Sequence, residues 1–244
     1  MELVLFDLDG TLIHADSDHA FGDFLIQEGW VDGVEFKTRN DAFYADYLAG
    51  KLDLPAYVTF STSAWRTRPA VEALAVRELF MQQVMQPAIT HKALELVRTH
   101  QQKGHLVAIV TATNEFVTTP IAQAFGIEHL IALQLVQQAD GAYTGDIKGV
   151  PTFREGKIQR VEHWLQQLGH QRADFTAVHC YSDSINDLPL LEWATHPVAT
   201  NPGQTLEVVA QQRAIVATRR FGFIAKEAGA AGKASMALIK TAAS

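Results

Sequence analysis

Near its start, the sequence has an apolar run that leads directly into an acidic loop, Leu3-Val4-Leu5-Phe6-Asp7-Leu8-Asp9-Gly10-Thr11. The four apolar residues predict a short buried strand, at whose end two carboxylates, Asp7 and Asp9, stand two residues apart. Side chains alternate along a strand, so both carboxylates point to one side of its carboxyl end. Two buried like charges this close are unfavourable unless a cation compensates them or one carboxyl holds a proton. The pair therefore predicts a metal site, or an acid and a nucleophile.

Length, charge and cysteine content exclude several classes of protein. The 244 residues suffice for one large domain or a core domain with an insertion, and 48% of them are hydrophobic, as in a soluble globular protein. A net charge of -7 without clustered Lys and Arg argues against a nucleic-acid partner, and no apolar run reaches membrane-spanning length. The single cysteine, Cys180, permits no internal disulfide and is expected in the core. Without a signal-peptide pattern, we expect a cytoplasmic protein with no membrane partner.

From about residue 104 onward, the chain alternates between apolar runs and amphipathic segments. Strands are predicted at 105–110, 175–181, 196–199 and 214–217, and helices at 88–103, 115–125, 155–168, 185–194 and 204–211. Asp140-Gly141 is a turn signal between short apolar runs at 133–136 and 142–144, and it predicts a hairpin. Such alternation is typical of α/β proteins, so the predicted fold is a parallel sheet flanked by helices.

Residues 15–86 interrupt this alternation. They hold four helical patterns with no credible strand between them, at 21–30, 34–48, 55–65 and 69–85. Because the segment directly follows the carboxylate pair, we predict a helical cap over the crevice where α/β sheets bind ligands. Helices that merely extend the core are the alternative. The predicted division is a core of 1–14 and 87–220, a cap of 15–86, and a tail of 221–244 with some helical periodicity.

Two further segments carry groups suited to phosphate. Thr111-Ala112-Thr113 follows the strand at 105–110, and hydroxyls with free N–H groups at a strand-to-helix turn bind phosphoryl oxygens, although a simple helix cap is the alternative. Lys157, at the start of the helix at 155–168, would neutralise charge on a phosphoryl group and on its nucleophile. Lys148 is the competing lysine, and lysines in first turns are commonly solvated.

The last polar segment is Ser182-Asp183-Ser184-Ile185-Asn186-Asp187, at the end of the strand at 175–181. Asp183 and Asp187 are four residues apart across a strand-to-helix turn, so both carboxylates can face the crevice that Asp7 faces. Carboxylates and small oxygen-bearing side chains suit a hard octahedral cation such as Mg²⁺. An acidic helix N-terminus capped by Asp183 is the alternative. Together, the four segments favour an enzyme that handles one phosphate with one cation.

The chain resembles members of the haloacid dehalogenase (HAD) superfamily. The four motifs of that superfamily correspond here to Asp7-x-Asp9-x-Thr11, Thr111, Lys157 and Ser182-Asp183-x-x-Asn186-Asp187. The resemblance spans about residues 1–212. The helical insertion after the first motif is similar to the cap of the phosphoserine-phosphatase-like branch, subfamily IB. The resemblance implies a Rossmann-like core with a parallel sheet, covered by an inserted helical cap.

The same resemblance implies a role for each matching residue. Asp7 would attack phosphorus and form an aspartyl phosphate, while Asp9 would protonate the leaving group and later activate water. The carboxylates of Asp7 and Asp183 and the backbone carbonyl of Asp9 would hold Mg²⁺. The other implied roles are phosphate binding by Thr111, Ala112, Lys157 and Asn186, and support of these groups by Thr11 and Asp187.

The cap contains the candidates for substrate recognition. Where the phosphoserine-phosphatase-like branch carries a Glu at the cap entrance, this chain has Asp16 or Asp18. Their carboxylates favour a substrate with a positive group such as an amine or imidazolium. The candidates for binding a substrate carboxylate are Arg66 and Arg68.

These expectations converge on a Mg²⁺-dependent phosphomonoesterase for a small phosphorylated metabolite, with histidinol phosphate or phosphoserine as candidate substrates. Asp9 favours hydrolysis of a phosphate ester, since HAD dehalogenases and cation pumps lack a carboxylate at this position. Two alternatives stay open. One is a HAD phosphotransferase or mutase, and the other is a non-catalytic module that binds a phosphorylated ligand.

Overall fold

The computed structural model describes residues 1–219 and 222–223. Its strands are β1 (Leu3–Phe6), β2 (Leu106–Asn114), β3 (His129–Leu133), β4 (Leu135–Gln137), β5 (Tyr143–Ile147), β6 (Val178–Ser182), β7 (His196–Thr200), β8 (Val216–Arg219) and β9 (Gly222–Phe223). The main sheet has the order β3-β2-β1-β6-β7-β8-β9, in which β9 is antiparallel to β8 and the other six strands are parallel. The predicted parallel sheet is confirmed.

β1 lies in the middle of the sheet because its side chains are apolar on both faces. Its neighbours are β2 and β6, and Leu3 is in register with both Leu106 and Val178. All four side chains of Leu3–Phe6 are fully buried, as expected for a parallel strand that is covered by helices on both faces. The carboxyl end of β1 therefore opens at the centre of one sheet edge, where Asp7 follows.

Helices connect the parallel strands and cover the two faces. They are α6 (His91–Gln102), α7 (Glu115–Ala124), α8 (Glu155–Gln167), α9 (Leu188–Trp193) and α10 (Gln204–Gln212), all close to predicted helices. The helix predicted at 185–194 begins as a 3₁₀ turn, Ile185–Asp187, before α9. This tight turn follows β6 directly and carries Asn186 and Asp187 back toward the sheet edge.

The structure corrects two predicted boundaries. The strand predicted at 105–110 continues as β2 to Asn114, so Thr111-Ala112-Thr113 belongs to the strand. β3 was not predicted, because only Gln134 separates it from the hairpin of β4 and β5, and an unbroken apolar pattern conceals such a boundary. The hairpin itself is present, with β4 and β5 antiparallel.

The cap segment, residues 15–86, is described throughout and contains no strand. It folds into α1 (Ser17–Gln27), α2 (Gly33–Leu48), α3 (Leu54–Ser63) and α4 (Ala70–Phe80), followed by a π-helical turn (Met81–Met85) and α5 (Gln86–Ala88). Asp16, Asp32 and Asp53 cap the first three helices by accepting hydrogen bonds from backbone N–H groups. The buried aromatic side chains of the segment join one continuous cluster with one face of the sheet. The domain boundaries stay a prediction.

Three other expectations concern the whole chain. Cys180 is buried and unpaired, as predicted. Among the described residues, no helix is both long and apolar enough to cross a membrane. The predicted tail of 221–244 lies outside the described residues, apart from Gly222–Phe223, which form β9.

Candidate active site

Parallel strands end at a common sheet edge, and the polar segments meet there. Asp7 follows β1, Thr111 lies near the end of β2, and Asp183 follows β6. α8 adds Lys157 to the same region. This is the edge at which open α/β sheets bind ligands.

Lys157 is buried between two carboxylates. Its Nζ donates to Asp7 Oδ1 over 2.9 Å and to Asp187 Oδ2 over 2.6 Å, and the side chain is 1% exposed. Ser182 Oγ also donates to Asp187 Oδ2, over 2.7 Å. Burial alone would lower the pKa of Lys157, but the charges of Asp187 and Asp7 raise it above its ordinary value. The ammonium stays charged, whereas the competing Lys148 is exposed.

The carboxyls of Asp7 and Asp183 face each other. Burial raises the pKa of Asp7 to about 7, with the charges of Asp187 and Asp9 adding to the shift and Lys157 opposing it. Burial and the nearby Asp7 likewise raise the pKa of Asp183 well above its usual range, and the two groups lie within hydrogen-bonding reach. Of these two neighbouring carboxyls, only Asp7 contacts a cation among the described residues, the ammonium of Lys157.

Gly10 and Thr11 set the position of Asp183. A Cβ on Gly10 would lie 2.2 Å from Asp183 Oδ2, and Gly10 has φ +70°, so only glycine fits at this position. Thr11 Oγ1 donates to Asp183 Oδ1 over 3.2 Å. The acidic loop after β1 therefore holds the carboxylate that follows β6 in place.

Asp9 points away from Asp183 and toward the cap. Its Oδ1 accepts from the backbone N–H of Ser17 over 2.7 Å, and its Oδ2 accepts from Thr113 Oγ1 over 2.8 Å. Burial and the charge of Asp16 raise the pKa of Asp9 to about 7. A carboxyl with this pKa can both give and take a proton near neutral pH. Thr113, as the partner that orients Asp9, was not anticipated.

The alternative of a helix cap at Thr111 or Thr113 is resolved by the structure. α7 is capped by Asn114, whose side-chain oxygen accepts from the backbone N–H of Val117 over 3.2 Å. Thr111 Oγ1 instead accepts from the backbone N–H of Thr113 over 3.1 Å. Thr111, Ala112 and Thr113 all line the cavity described next.

One cavity lies between the sheet edge and the cap. Its polar lining consists of the carboxyls of Asp7, Asp9, Asp16 and Asp18 together with Thr111-Ala112-Thr113. The apolar and aromatic lining consists of Phe43, Tyr44, Tyr47, Leu52, Leu54 and Tyr57. The described residues that line it include no lysine, arginine or histidine. The aromatic composition of 15–86 was the only sequence signal for this wall.

Asp16 and Asp18 enter the cavity at the start of α1. Asp16 also caps α1 by accepting from the backbone N–H of His19 over 2.8 Å. Asp18 Oδ1 accepts from Asn114 Nδ2 over 3.2 Å, and Tyr57 hydrogen-bonds the same carboxyl. Burial raises the pKa of Asp16 to about 6 and that of Asp18 to about 7. Asp18 is buried and Asp16 half-buried, and among the described residues neither forms an ion pair with a lysine or arginine.

Seven predicted site residues do not line this cavity. Four of them lie around Asp7 at the sheet edge, namely Thr11, Lys157, Asp183 and Asp187. The other three are Arg66, Arg68 and Asn186, which make contacts elsewhere. Arg66 donates to the carbonyl of Thr144 over 2.6 Å, and with Arg68 it borders a separate cavity beside the β4–β5 hairpin. Both arginines lie in the turn between α3 and α4, beside this second cavity and not beside Asp7. Asn186 Nδ2 donates to the carbonyl of Tyr47 over 3.1 Å, which ties the core to the cap.

Arg154 is a site-adjacent residue that sequence reasoning missed. It precedes α8 with φ 51°, a conformation that is unfavourable for a residue with a Cβ. Its guanidinium donates to Asn186 Oδ1 over 3.4 Å and to the carbonyl of Gly50. Arg154 therefore joins the loop before Lys157 to the end of α2. The only possible signal was its place next to the predicted helix start.

The donor set at the sheet edge fits a hard divalent cation. Carboxylates from Asp7 and Asp183 converge, and Gly10 leaves room for the second of them. Oxygen ligands are what Mg²⁺ prefers, and no cysteine or histidine lines the cavity among the described residues. By contrast, the run from His14 to His19 forms no such set, because His19 pairs with Asp41 over 2.8 Å and His14 is exposed.

Comparisons with known proteins agree with this architecture. Residues 4–192 match the model of the haloacid dehalogenase-like hydrolase family. A curated protein of Neisseria meningitidis serogroup C, named histidinol-phosphatase, is 40% identical over 211 residues, which are 86% of this chain and 95% of that protein. A probable phosphatase of Mycobacterium tuberculosis is 28% identical over 85% of this chain and 71% of its own length.

Solved structures extend the likeness to the fold. A protein of unknown function from Bordetella pertussis Tohama I has a TM-score of 0.83 and 45% identity, with 88% of this chain and 97% of that chain covered. A substrate-bound phosphoserine phosphatase has a TM-score of 0.63 and 18% identity over 85% of this chain and 89% of that chain, a likeness of fold alone. The chain belongs to the haloacid dehalogenase-like hydrolase family and is a phosphatase of the HAD type.

Proposed function

We propose that this chain is a Mg²⁺-dependent phosphomonoesterase that hydrolyses histidinol phosphate through an aspartyl phosphate on Asp7. The observation that carries the proposal is the contact set of Asp7, which meets an ammonium at Lys157 and a second carboxyl at Asp183. Asp9 stands apart from this set and faces the same cavity. A nucleophile and a separate proton donor are thus provided at one site.

In the first half-reaction, an Asp7 oxygen attacks phosphorus while the bond from phosphorus to the substrate oxygen breaks. Asp9 gives its proton to that leaving oxygen, and its pKa of about 7 keeps a protonated fraction available at neutral pH. Lys157 offsets negative charge on Asp7 and on the phosphoryl group. Backbone N–H groups and the hydroxyl in Thr111-Ala112-Thr113 bind the phosphoryl oxygens.

In the second half-reaction, water attacks the aspartyl phosphate. Asp9 has lost its proton by then and takes one from that water, so phosphate leaves and Asp7 returns to its free carboxylate. Asp7, Asp183 and the backbone carbonyl of Asp9 would hold the divalent cation. When bound, Mg²⁺ neutralises phosphoryl charge and compensates the two converging carboxylates.

The cavity lining supports a substrate that carries positive charge. Asp18 is buried and Asp16 half-buried, and both line the cavity together with Tyr44 and Tyr57, whose aromatic faces attract cations. A buried carboxylate is costly until a cation pairs with it, so an ammonium or imidazolium would gain affinity there. Histidinol phosphate offers both groups, and the Neisseria relative at 40% identity bears the corresponding name.

Phosphoserine is the weaker candidate on one specific observation. It carries a carboxylate beside its ammonium, and a substrate carboxylate needs a cationic partner to be bound in an acidic cavity. Arg66 and Arg68 would have been such partners, but they border the separate cavity at the hairpin. We therefore expect kcat/KM for histidinol phosphate to exceed that for phosphoserine.

Substitution of Asp18 tests this assignment. Asp18→Asn keeps the shape of the side chain and one acceptor oxygen but removes the charge, so we expect kcat/KM for histidinol phosphate to fall by about 10-fold or more. Activity on an aryl phosphate monoester that carries no cationic group is expected to change little, because that substrate has no ammonium or imidazolium for Asp18 to bind. Both quantities are measured by release of inorganic phosphate under identical conditions.

The matched control is Asp46→Asn, which removes an exposed carboxylate from the same cap, on α2. It should leave both activities unchanged. Equal losses on both substrates in Asp18→Asn, or a preference of the wild-type protein for phosphoserine, would contradict the assignment of substrate while leaving the phosphatase intact.

Removal of divalent metal should abolish turnover. We expect protein treated with a chelator to release no phosphate from an aryl phosphate, and Mg²⁺ alone to restore it, because uncompensated carboxylates repel a phosphate dianion. Asp183→Asn should raise the Mg²⁺ concentration that gives half-maximal activity. Full activity of thoroughly chelated protein would refute a metal-dependent reaction.

A further inference from the structure

A second group of ionisable side chains lies at the amino end of the sheet, opposite the active site. Glu2 and His105 immediately precede β1 and β2, and His179 and His196 lie in β6 and β7. We call this group, together with His100 of α6, the histidine cluster. Its five side chains come from five separate segments of the chain, yet they share one region.

Strand register explains why they share it. Leu3 pairs with Leu106, so the preceding residues Glu2 and His105 are neighbours. His179 pairs with Val4 on one side and with His196 on the other. Since side chains alternate along strands, Glu2, His105, His179 and His196 all project from the face that also carries Val4 and Phe6.

The ligand-type atoms are close together. Glu2 Oε2 lies 2.8 Å from His179 Nε2 and 3.5 Å from His105 Nε2, and the ligand atoms of these three residues are all within 4.8 Å of one another. Ligands at 2.0–2.2 Å from a tetrahedral zinc ion are separated by about 3.3 Å. The two observed distances, 2.8 Å and 3.5 Å, lie on either side of this value. Only small rotations of Glu2 and His179 are therefore needed to bring the ligand atoms to the separation that zinc requires.

Neighbouring contacts orient His105 as a ligand. His105 Nδ1 lies 3.0 Å from His100 Nδ1, and His100 Nε2 lies 3.0 Å from the hydroxyl of Tyr181. The tautomer with a proton on His105 Nδ1 leaves its Nε2 lone pair directed at Glu2. Histidine ligands in proteins commonly use their second ring nitrogen in this way. Buried Nδ1 of His179 has no hydrogen-bond partner, so only its Nε2 side is engaged.

The imidazoles of His100, His105 and His179 are neutral near pH 7, which is the form that binds metals. Burial lowers the pKa of His100 to about 3, and burial likewise lowers the pKa of His105 and His179. Burial alone would raise the pKa of Glu2, but its hydrogen bond with His179 and its attraction to the nearby histidines in their protonated form leave it lowered. One carboxylate therefore faces neutral nitrogen donors.

A second set of residues with metal-binding side chains differs from the histidine cluster in its charge balance. His19, Asp23 and Asp41 also lie within 4.8 Å of one another, but Lys37 donates to both aspartates and already supplies their positive charge. Among residues 1–219, no lysine or arginine forms an ion pair with Glu2. The histidine cluster thus lacks the cation that neutralises the other set.

We propose that Glu2, His105 and His179 form a binding site for a borderline divalent transition metal of the Zn²⁺ class, separate from the Mg²⁺ site. Two nitrogen donors and one carboxylate suit Zn²⁺, whereas the oxygen-only active site suits Mg²⁺. Five residues of extended chain separate Glu2 from Asp7, or about 16 Å, so the two ions would not share a ligand. The metal would join the starts of β1, β2 and β6.

The test is calorimetric titration of the full-length protein with ZnCl₂ after removal of bound metal and in saturating Mg²⁺. We expect one tight equivalent of Zn²⁺ in the wild-type protein and at least a tenfold weaker affinity in both Glu2→Gln and His105→Gln. CoCl₂ gives a second readout, since ligand-field absorption reports nitrogen and oxygen donors directly. Asp183→Asn should keep the equivalent, because it alters only the active site.

His91→Gln is the matched control, since His91 and Glu95 form an exposed pair with ligand atoms 3.3 Å apart but without a second histidine. It should bind Zn²⁺ like the wild-type protein. The proposal is overturned if the wild-type protein binds no Zn²⁺ in saturating Mg²⁺, or if either Glu2→Gln or His105→Gln retains wild-type affinity. Loss of the equivalent in Asp183→Asn alone would assign the ion to the active site instead.

Discussion

Asp7→Asn is expected to abolish phosphatase turnover while leaving the protein folded. An amide cannot form an acyl phosphate as a carboxylate does, so the covalent route is closed and kcat should fall by roughly 10⁴-fold or more. The fold should survive because the amide oxygen still accepts from Lys157, and one of several crowded buried carboxyls is removed. Release of phosphate from histidinol phosphate and from an aryl phosphate measures the effect, with unfolding in urea as the check on stability.

Asp9→Asn separates the two proposed carboxyl roles. The amide keeps the hydrogen bond from Ser17 but cannot transfer a proton, so we expect kcat to fall by about 10²- to 10⁴-fold. The loss should be smaller for an aryl phosphate with an acidic leaving group, which needs little protonation. Wild-type rates in Asp7→Asn would rule out the aspartyl phosphate, whatever Asp9→Asn does.

Lys157→Met is expected to cost both activity and stability. Removal of the ammonium leaves Asp7 and Asp187 buried without their cation, and loss of one partner from a buried ion pair costs about 3–5 kcal/mol. Methionine has a similar length, so the effect reports charge rather than a cavity. Urea unfolding measures the free energy of unfolding, and phosphate release measures activity.

The stability loss in Lys157→Met should also depend on pH. Burial already raises the pKa of Asp7 to about 7 in the folded protein, and without Lys157 this pKa rises further. A carboxyl whose folded pKa is raised stabilises the fold while it is protonated, and this stability is lost as the pH rises through the folded pKa. The difference in unfolding free energy from the wild-type protein should therefore be larger at pH 8 than at pH 5.

Lys148→Met is the control for this prediction, because Lys148 is exposed and contacts neither carboxylate. It should keep wild-type activity and stability. Adding Asp187→Asn to Lys157→Met should recover part of the lost stability, since one uncompensated charge is removed. A loss below about 1 kcal/mol in Lys157→Met would mean that the ion pairs contribute no more than exposed ones do.

Much of the core was predictable because its signals are local. The apolar run Leu3–Phe6 followed by Asp7 indicated a buried strand with a polar end, and the structure places that strand at the centre of the sheet. The absence of strands in 15–86 is likewise visible in short windows of sequence. β3 escaped prediction because only Gln134 lies between it and β4. The apolar pattern resumes directly after this residue, so periodicity cannot divide the two strands.

The cap residues that line the active-site cavity were less predictable than the polar residues at the sheet edge. Asp16 and Asp18 follow the first motif within a few residues, so their position near the crevice was expected. Tyr44 and Tyr57 reach the same cavity from α2 and α3, and their placement depends on how the cap helices pack against the core. Arg66 and Arg68 lie in the turn between α3 and α4 and border the other cavity, and the course of such a turn likewise cannot be read from residue type.

Residue order alone determined the parallel sheet, the inserted helices and the set of polar strand ends, because periodicity and turn chemistry act over a few neighbouring residues. Only the tertiary structure decided which side chains contact one another. Lys157 meets Asp7 across 150 positions of sequence, and His179 meets Glu2 across 177. Such pairs depend on strand order and register, which are set by burial of the whole core and leave no mark in any short stretch of sequence.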